Sequence, residues 1–231
     1  MSYVLHYAPD NASLIIRLAL EELGVPYRTM LVDRRAKGQR SAAYLALNPA
    51  GRIPTLETPQ GPISETGAIL MVLAETHGGL LPGAGMPQRG AVLNWLFFIA
   101  NTLHPETIQS FYVHRYGPQD AWPAMRAALR ERVLGHLAVL ETEAVTRCGG
   151  WFCGDVPSAL DLYVAAILRW LGLYGGAEPG TLDLAAYPAM MDMCARLEAR
   201  PSCAALSAAE GMSAHPFTAP QAPTPLEGTA T

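Results

Sequence analysis

The apolar run Tyr3-Val-Leu-His-Tyr7 reads as a short strand, and Ala8-Pro9-Asp10-Asn11 after it as a turn. From Ser13 to Leu23 the apolar residues recur at helical spacing, with Arg17 and Glu21 on the outward side. Gly24 and Pro26 stop that helix. A second strand is predicted over Arg28–Asp33, a short helix over Ser41–Leu47, a hairpin from the runs 53–58 and 62–63, and a helix over Thr66–Thr76. The order βαβ, then α, then ββα predicts a mixed sheet with helices on its faces. From Gly78 to Pro87 four glycines and two prolines mark a linker. Beyond it the pattern is helical throughout, over 88–103, 124–147, 158–171 and 187–199.

Two places in the helical half carry more local detail. Pro105 follows His104 inside an apolar, aromatic helix, so a kink or break is expected there. Pro157-Ser158-Ala-Leu-Asp161 places a capping serine three residues before an acid, ahead of the apolar Leu162–Leu171. That cap should govern a helix at the centre of a bundle. After Glu210 the chain is rich in Pro, Ala and Thr and is expected to be an extended or disordered tail. The predicted organisation is a sheet domain at 1–78, a linker at 79–87, an all-helical domain at 88–209 and a flexible tail at 210–231.

Composition narrows the function classes. Half of the 231 residues are hydrophobic and 16% are charged, enough apolar material for a substantial core. A net charge of −4 and a pI near 5.8 argue against a nucleic-acid or anionic-membrane partner. Arg34, Arg35, Lys37 and Arg40 are the one dense basic cluster, which by itself reads as a solvated loop. The chain opens on a strand rather than a basic leader, and no apolar run approaches the roughly 18 residues of a membrane span, so a cytoplasmic protein is expected. Cys148, Cys153, Cys194 and Cys203 include no CxxC pair, which points to structural thiols and no metal site.

The most informative stretch is Asn48-Pro-Ala-Gly-Arg-Ile-Pro54-Thr-Leu, followed by Ile63-Ser-Glu-Thr66-Gly-Ala. A trans proline before the strand-like Thr55–Thr58 would waste a ladder donor, so Ile53-Pro54 is a candidate cis bond that turns the Ile53 backbone outward. Ser64-Glu65-Thr66 opens an apolar helix, and free N–H groups with hydroxyls at a helix start suit a carboxylate. A strand-offering loop beside such a helix end fits an extended acidic peptide.

Asn48-Pro49-x-Gly51-x-Ile53-Pro54, Ser64-Glu65-Thr66, Trp151-x-x-Gly154, Ser158-x-x-Asp161 and Arg200-Pro201 together resemble the cytosolic glutathione transferases. The detail is most similar to the bacterial beta class, through Val32-Asp33-x-x-Ala36-Lys37, Asn94-Trp95, Ile99-Ala100 and Leu103-His104. The resemblance implies an α+β thioredoxin-like domain followed by an all-α helical-bundle domain, glutathione as cosubstrate, a hydrophobic electrophile as second substrate, a detoxification role and a homodimer. There is one departure. Beta-class enzymes carry a cysteine in a Pro-Gly-Ala-Cys-Ser turn, whereas this chain reads Pro9-Asp10-Asn11-Ala12-Ser13, with Ala12 at the cysteine position. A mixed disulfide with glutathione cannot form at that residue.

Glutathione's thiol titrates near about 8.5, so activation at neutral pH means lowering that value by about two units, roughly 2.7 kcal/mol. One hydrogen bond to a charged group contributes about 1.5–3 kcal/mol, so a single placed donor suffices. The candidates are Ser13, which otherwise is a plain helix cap, Tyr7, which otherwise is a packing residue, and Asn11, which otherwise forms the turn. His104 matches a beta-class histidine facing the thiol, or satisfies a carbonyl freed by Pro105. For the peptide, Glu65 would take the ammonium, Thr66 the γ-glutamyl carboxylate, Ile53 and Pro54 the cysteinyl backbone, and Lys37 the glycine carboxylate. Phe97 replaces a beta-class asparagine, removing one polar contact. Phe98, Tyr112, Tyr116, Trp122 and Trp170 are candidates for an apolar cleft, or simply core. Three functions fit: conjugation, a glutathione-dependent reduction, isomerisation or ether cleavage, and ligand binding without turnover.

Overall fold

In a computed structural model that describes residues 3–174 and 184–230, the first half of the chain folds around a four-stranded mixed sheet of order β2-β1-β3-β4. β1 (Tyr3–Tyr7) runs parallel to β2 (Tyr27–Leu31) and antiparallel to β3 (Thr55–Thr58), which pairs with β4 (Gly61–Ser64). The parallel pair requires a crossover, and α1 (Ser13–Leu23) supplies it. α1 buries Leu14, Ile15, Ile16, Leu18 and Leu20 completely. It ends as the sequence predicts, with Gly24 in the left-handed region at φ 61° returning its N–H to Glu21 and Leu20. α2 (Ala42–Leu47) is capped by Ser41, and α3 (Thr66–His77) follows β4.

Two features of this unit depart from the sequence reading. Arg17, expected outward on α1, is buried at 5% exposure. Its Nε donates to Glu210 Oε1 at 2.8 Å, and Glu210 is itself fully buried. α10 (Pro201–Glu210), read as part of the helical half, belongs to the sheet unit, which gathers residues 1–81, 198–216 and 221–231. Arg200 fixes its start through a two-pronged pair with Glu22, Nε to Oε1 at 2.7 Å and Nη2 to Oε2 at 2.8 Å. Helical periodicity assigns a charged residue to the outside; a partner 193 positions away overrides it.

The second unit, residues 82–197 with 217–220, is helical among its described residues. α4 (Arg89–Phe98) passes through a π turn at Ile99–Leu103 into α5 (His104–Phe111). The kink or break expected at Pro105 takes the form of this π turn within a continuous helix: proline has no N–H for the carbonyl four residues back, and the wider turn accommodates that loss. α6 (Trp122–Val139) ends in a second π turn at Leu140–Ala144 before α7 (Val145–Arg147). α8 (Ala159–Tyr174) is buried from Ala159 to Leu171, the central position its apolar run predicts. α9 (Pro188–Glu198) follows.

The start of α8 realises the predicted capping box. Ser158 Oγ accepts from Leu160 N at 3.1 Å, while Asp161 Oδ2 accepts from Ser158 N at 2.7 Å. Asp161 Oδ1 takes a further donor, Cys153 N, at 2.7 Å, and Cys153 sits in the left-handed region at φ 55°. Cys148, Cys194 and Cys203 are buried thiols, and burial pushes Cys148 up to about 11. Among the described residues no helix is long and apolar enough to cross a membrane, and no group of three His, Cys, Asp or Glu could hold a metal ion.

Candidate functional site

Strand register brings the candidate residues of the sheet unit to one end of the sheet. Tyr7 closes β1 opposite Leu31, the last residue of β2. Thr55, which opens β3 directly after Ile53-Pro54, pairs with His6 on one side and with Ser64 on the other. The carboxyl ends of β1, β2 and β4 and the amino end of β3 therefore lie side by side. From that end emerge the Ala8–Ala12 turn, the loop carrying Lys37, the Ile53-Pro54 turn and the Glu65 start of α3. In open α/β sheets the carboxyl ends of parallel strands are where ligands bind.

The Ile53-Pro54 bond is cis, as its position ahead of a strand suggested. The loop before it is held by Asn48, whose Nδ2 donates to Arg52 C=O at 2.8 Å, and by Tyr44, whose hydroxyl donates to the same carbonyl at 2.6 Å. Ile53 is half-buried and Pro54 buried. Glu65 precedes α3 at φ 67°, a conformation that non-glycine residues rarely hold. Its side chain is exposed and makes no capping hydrogen bond to the first turn of α3. A strained acidic residue over an uncapped helix start is the kind of outlier that concentrates at ligand sites. Thr66 is buried at the first position of that helix, and Lys37 is exposed at φ 54°.

The three thiolate candidates separate clearly. Ser13 is fully buried, and its hydroxyl closes the turn by donating to Ala8 C=O at 3.1 Å and accepting from Ala8 N at 3.3 Å. It is neither the helix cap, a position held by Ala12, nor a donor directed at a ligand. Asn11 Oδ1 accepts from Ala12 N at 2.9 Å, and its amide nitrogen has no hydrogen-bond partner among the described residues. Tyr7 donates its phenol to Glu227 Oε1 at 2.5 Å, and the Arg17 guanidinium lies 4.6 Å from its ring centroid. Burial, then the Glu227 carboxylate, raise the Tyr7 phenol above its ordinary value, so it stays protonated and acts as a donor.

Arg17 and Glu210 hold this corner together. Glu210 Oε1 takes Arg17 Nε, and its Oε2 takes Asp10 N at 2.9 Å in the turn itself. Asp10 has φ 50°, so the turn is held in an unusual backbone conformation by a buried carboxylate from α10. Glu210 did not stand out in the sequence and helical spacing placed Arg17 outward, because the partner that buries it lies 193 positions away.

The candidates on the helical unit are engaged within it. His104 Nδ1 lies 2.9 Å from the Tyr163 hydroxyl on α8, and its ring packs 5.4 Å from Trp170. The structure thus gives the ring a polar partner and an aromatic neighbour on α8. Phe98 packs edge-on against Trp95 and His136, and Trp170 is buried. Tyr112 and Trp122 both pack on His114, and Tyr116 is exposed.

Comparison with known proteins identifies the family. Residues 12–76 match the model of the glutathione S-transferase N-terminal domain, and residues 120–209 that of the C-terminal domain. The disulfide-bond oxidoreductase YfcG of Escherichia coli strain K12 is 30% identical over 206 residues, covering 86% of this chain and 91% of that protein. A glutathione transferase homolog from Sulfitobacter, solved with bound glutathione, superposes with a TM-score of 0.76 at 26% identity over 90% of this chain and 97% of its own. The beta-class glutathione S-transferase of Sphingomonas chungbukensis superposes at 0.71 and 26% identity, over 90% and 98%. With both domain models matched in order along a thioredoxin-like sheet unit and a helical unit, the chain belongs to the glutathione S-transferase family.

Proposed function

We propose that the protein is a glutathione transferase of the non-cysteine type, which activates the thiol of glutathione for attack on hydrophobic electrophiles with Tyr7 as the thiolate donor. The observation that carries this reading is the Tyr7 phenol donating to a carboxylate at 2.5 Å: it is a neutral donor already turned toward an anion, at the carboxyl end of β1. Ser13, the hydroxyl next to Ala12, is ruled down by its closed pair of bonds to Ala8. Asn11 stands second, with its amide nitrogen in the same turn. Ala12, at the position where beta-class enzymes carry cysteine, weighs against thiol exchange through a protein–glutathione disulfide. The name of the Escherichia coli relative, a disulfide-bond oxidoreductase, favours a glutathione-dependent reduction as the second reading. The protein acts as a cytoplasmic homodimer in this reading, with no metal.

Catalysis here reduces to placing one donor. A phenol hydrogen-bonded to the sulfur favours thiolate over thiol by about 1.5–3 kcal/mol. Tyr7→Phe should raise the bound thiol's pKa by about 1–2 units and slow conjugation of chlorodinitrobenzene roughly ten- to a hundredfold at neutral pH. Asn11→Ala should do so more weakly, and Ser13→Ala should lower stability without moving that pKa. A Tyr7→Phe protein with unchanged rate and pH profile would transfer the role to Asn11 or to the backbone of the turn.

The peptide is held by Ile53 and Pro54 along its backbone, by Glu65 at the ammonium, by Thr66 at the adjoining carboxylate and by Lys37 at the glycine carboxylate. Support comes from the cis turn and from the strained, uncapped start of α3. Glu65→Ala should weaken glutathione binding by about 2 kcal/mol, the worth of one charge-assisted hydrogen bond. Calorimetry on the folded variant tests this, and an undiminished affinity removes Glu65 from the site.

A further inference from the structure

Residues 221–230 run back onto the sheet unit rather than away from it. The segment starts on the end of α10, where Thr224 N donates to Gly211 C=O at 2.8 Å. Glu227 then reaches the Tyr7 phenol. At Gly228 the backbone lies flat on the end of the sheet: a Cβ there would stand 2.7 Å from Leu31 Cδ1 and 3.2 Å from Pro9 Cδ. Its φ of +72° is also one that glycine adopts without strain. Two residues on, Arg34 Nη1 donates to Ala230 C=O at 2.6 Å. The segment thus crosses the carboxyl ends of the two parallel strands, touching Tyr7, Pro9, Leu31 and Arg34 in turn.

We propose that residues 226–230 are an intramolecular cap that competes with glutathione for the end of the sheet, with the Glu227 carboxylate standing where the sulfur anion is bound. This rests on the reading of Tyr7 as the thiolate donor. The chemistry matches in one respect: a short stretch with a carboxylate beside a glycine holds the phenol donor meant for the thiolate. One phenol hydrogen cannot serve both a carboxylate and a thiolate, so the two states exclude each other at Tyr7. The cap is also built to leave. Leu226 is 93% exposed, Glu227 and Gly228 are exposed, and the hold consists of polar contacts rather than buried apolar area. Segments with that make-up open at low free-energy cost. Glutathione binding therefore shifts a pre-existing closed–open equilibrium, and its apparent affinity is reduced by the fraction of molecules that are closed.

The experiment compares glutathione binding by calorimetry in the full chain, in a chain ending at Pro225 and in full-length Glu227→Gln. Ending at Pro225 keeps the Thr224 contact on Gly211. If nine molecules in ten are closed, the shortened chain should bind about tenfold more tightly, with Glu227→Gln in between. Equal affinity in all three leaves the glutathione reading standing and overturns the cap. Weaker binding by the shortened chain makes the segment part of the glutathione site and overturns it as well. No binding by any of the three overturns both the cap and the transferase reading.

Discussion

Replacing Glu210 by alanine is expected to cost about 3–5 kcal/mol of stability, the usual result of removing one partner from a buried ion pair. Three losses combine in that substitution. Arg17, 5% exposed, is left as an uncompensated charge inside the sheet unit. The Asp10 N–H loses its acceptor in a turn held at φ 50°. The cation that packs on the Tyr7 ring loses its anchor. Urea denaturation should show the loss directly, and a cost under about 1 kcal/mol would mean that water or another group reaches Arg17. The double variant Arg17→Met, Glu210→Leu should recover most of it, because an apolar pair of similar volume avoids the desolvation of two charges. What it cannot restore is the acceptor for Asp10 N. The double variant should therefore be stable but slow in conjugation, separating the pair's contribution to folding from its role in holding the turn beside Tyr7.

The second large effect lies at the start of α8. Asp161→Ala leaves Ser158 N and Cys153 N without an acceptor, and a buried orphan donor costs about 1–3 kcal/mol each. A loss of about 3 kcal/mol is expected, which lowers the melting temperature by roughly 6–12 °C in a chain of this size. The pH dependence carries its own sign. Burial pushes the Asp161 carboxyl up to about 6, against the backbone donors and Arg196, which favour the charged form. A folded value above the unfolded one means that the native state holds the proton more tightly. The stabilisation is complete below about 4 and is lost as pH rises through about 6, on the order of 3 kcal/mol. Asp161→Asn has no such proton, so its disadvantage against the parent should be largest near pH 4 and shrink by pH 7. A disadvantage that instead grows with pH would show that the backbone donors outweigh burial and keep the carboxylate ionised.

Much of this architecture is written in short stretches of sequence. The Gly24 stop, the Ser158–Asp161 box, the interruption at Pro105 and the cis bond at Ile53-Pro54 each follow from the dihedral freedom or hydrogen-bond capacity of a few neighbouring residues. Local chemistry of that kind needs no knowledge of the rest of the chain. The mixed sheet follows as well, from the order βαβ, then α, then ββα.

The thiol end of the site is a different matter. Ser13, read from its place beside the missing cysteine, turned inward because the Ala8 backbone five residues earlier needed both a donor and an acceptor. Arg17, read as outward from its helical position, is buried because Glu210 arrives from α10. The end of the tail, residues 221–230, expected to be loose from its composition, lies against the sheet unit because Glu227, Gly228 and Ala230 meet groups on β1, β2 and the loop beyond it. Periodicity and turn chemistry act over a few residues and could be read directly. Charge pairing and the filling of a donor act between positions about two hundred residues apart, and only the folded chain brings those positions within hydrogen-bond distance.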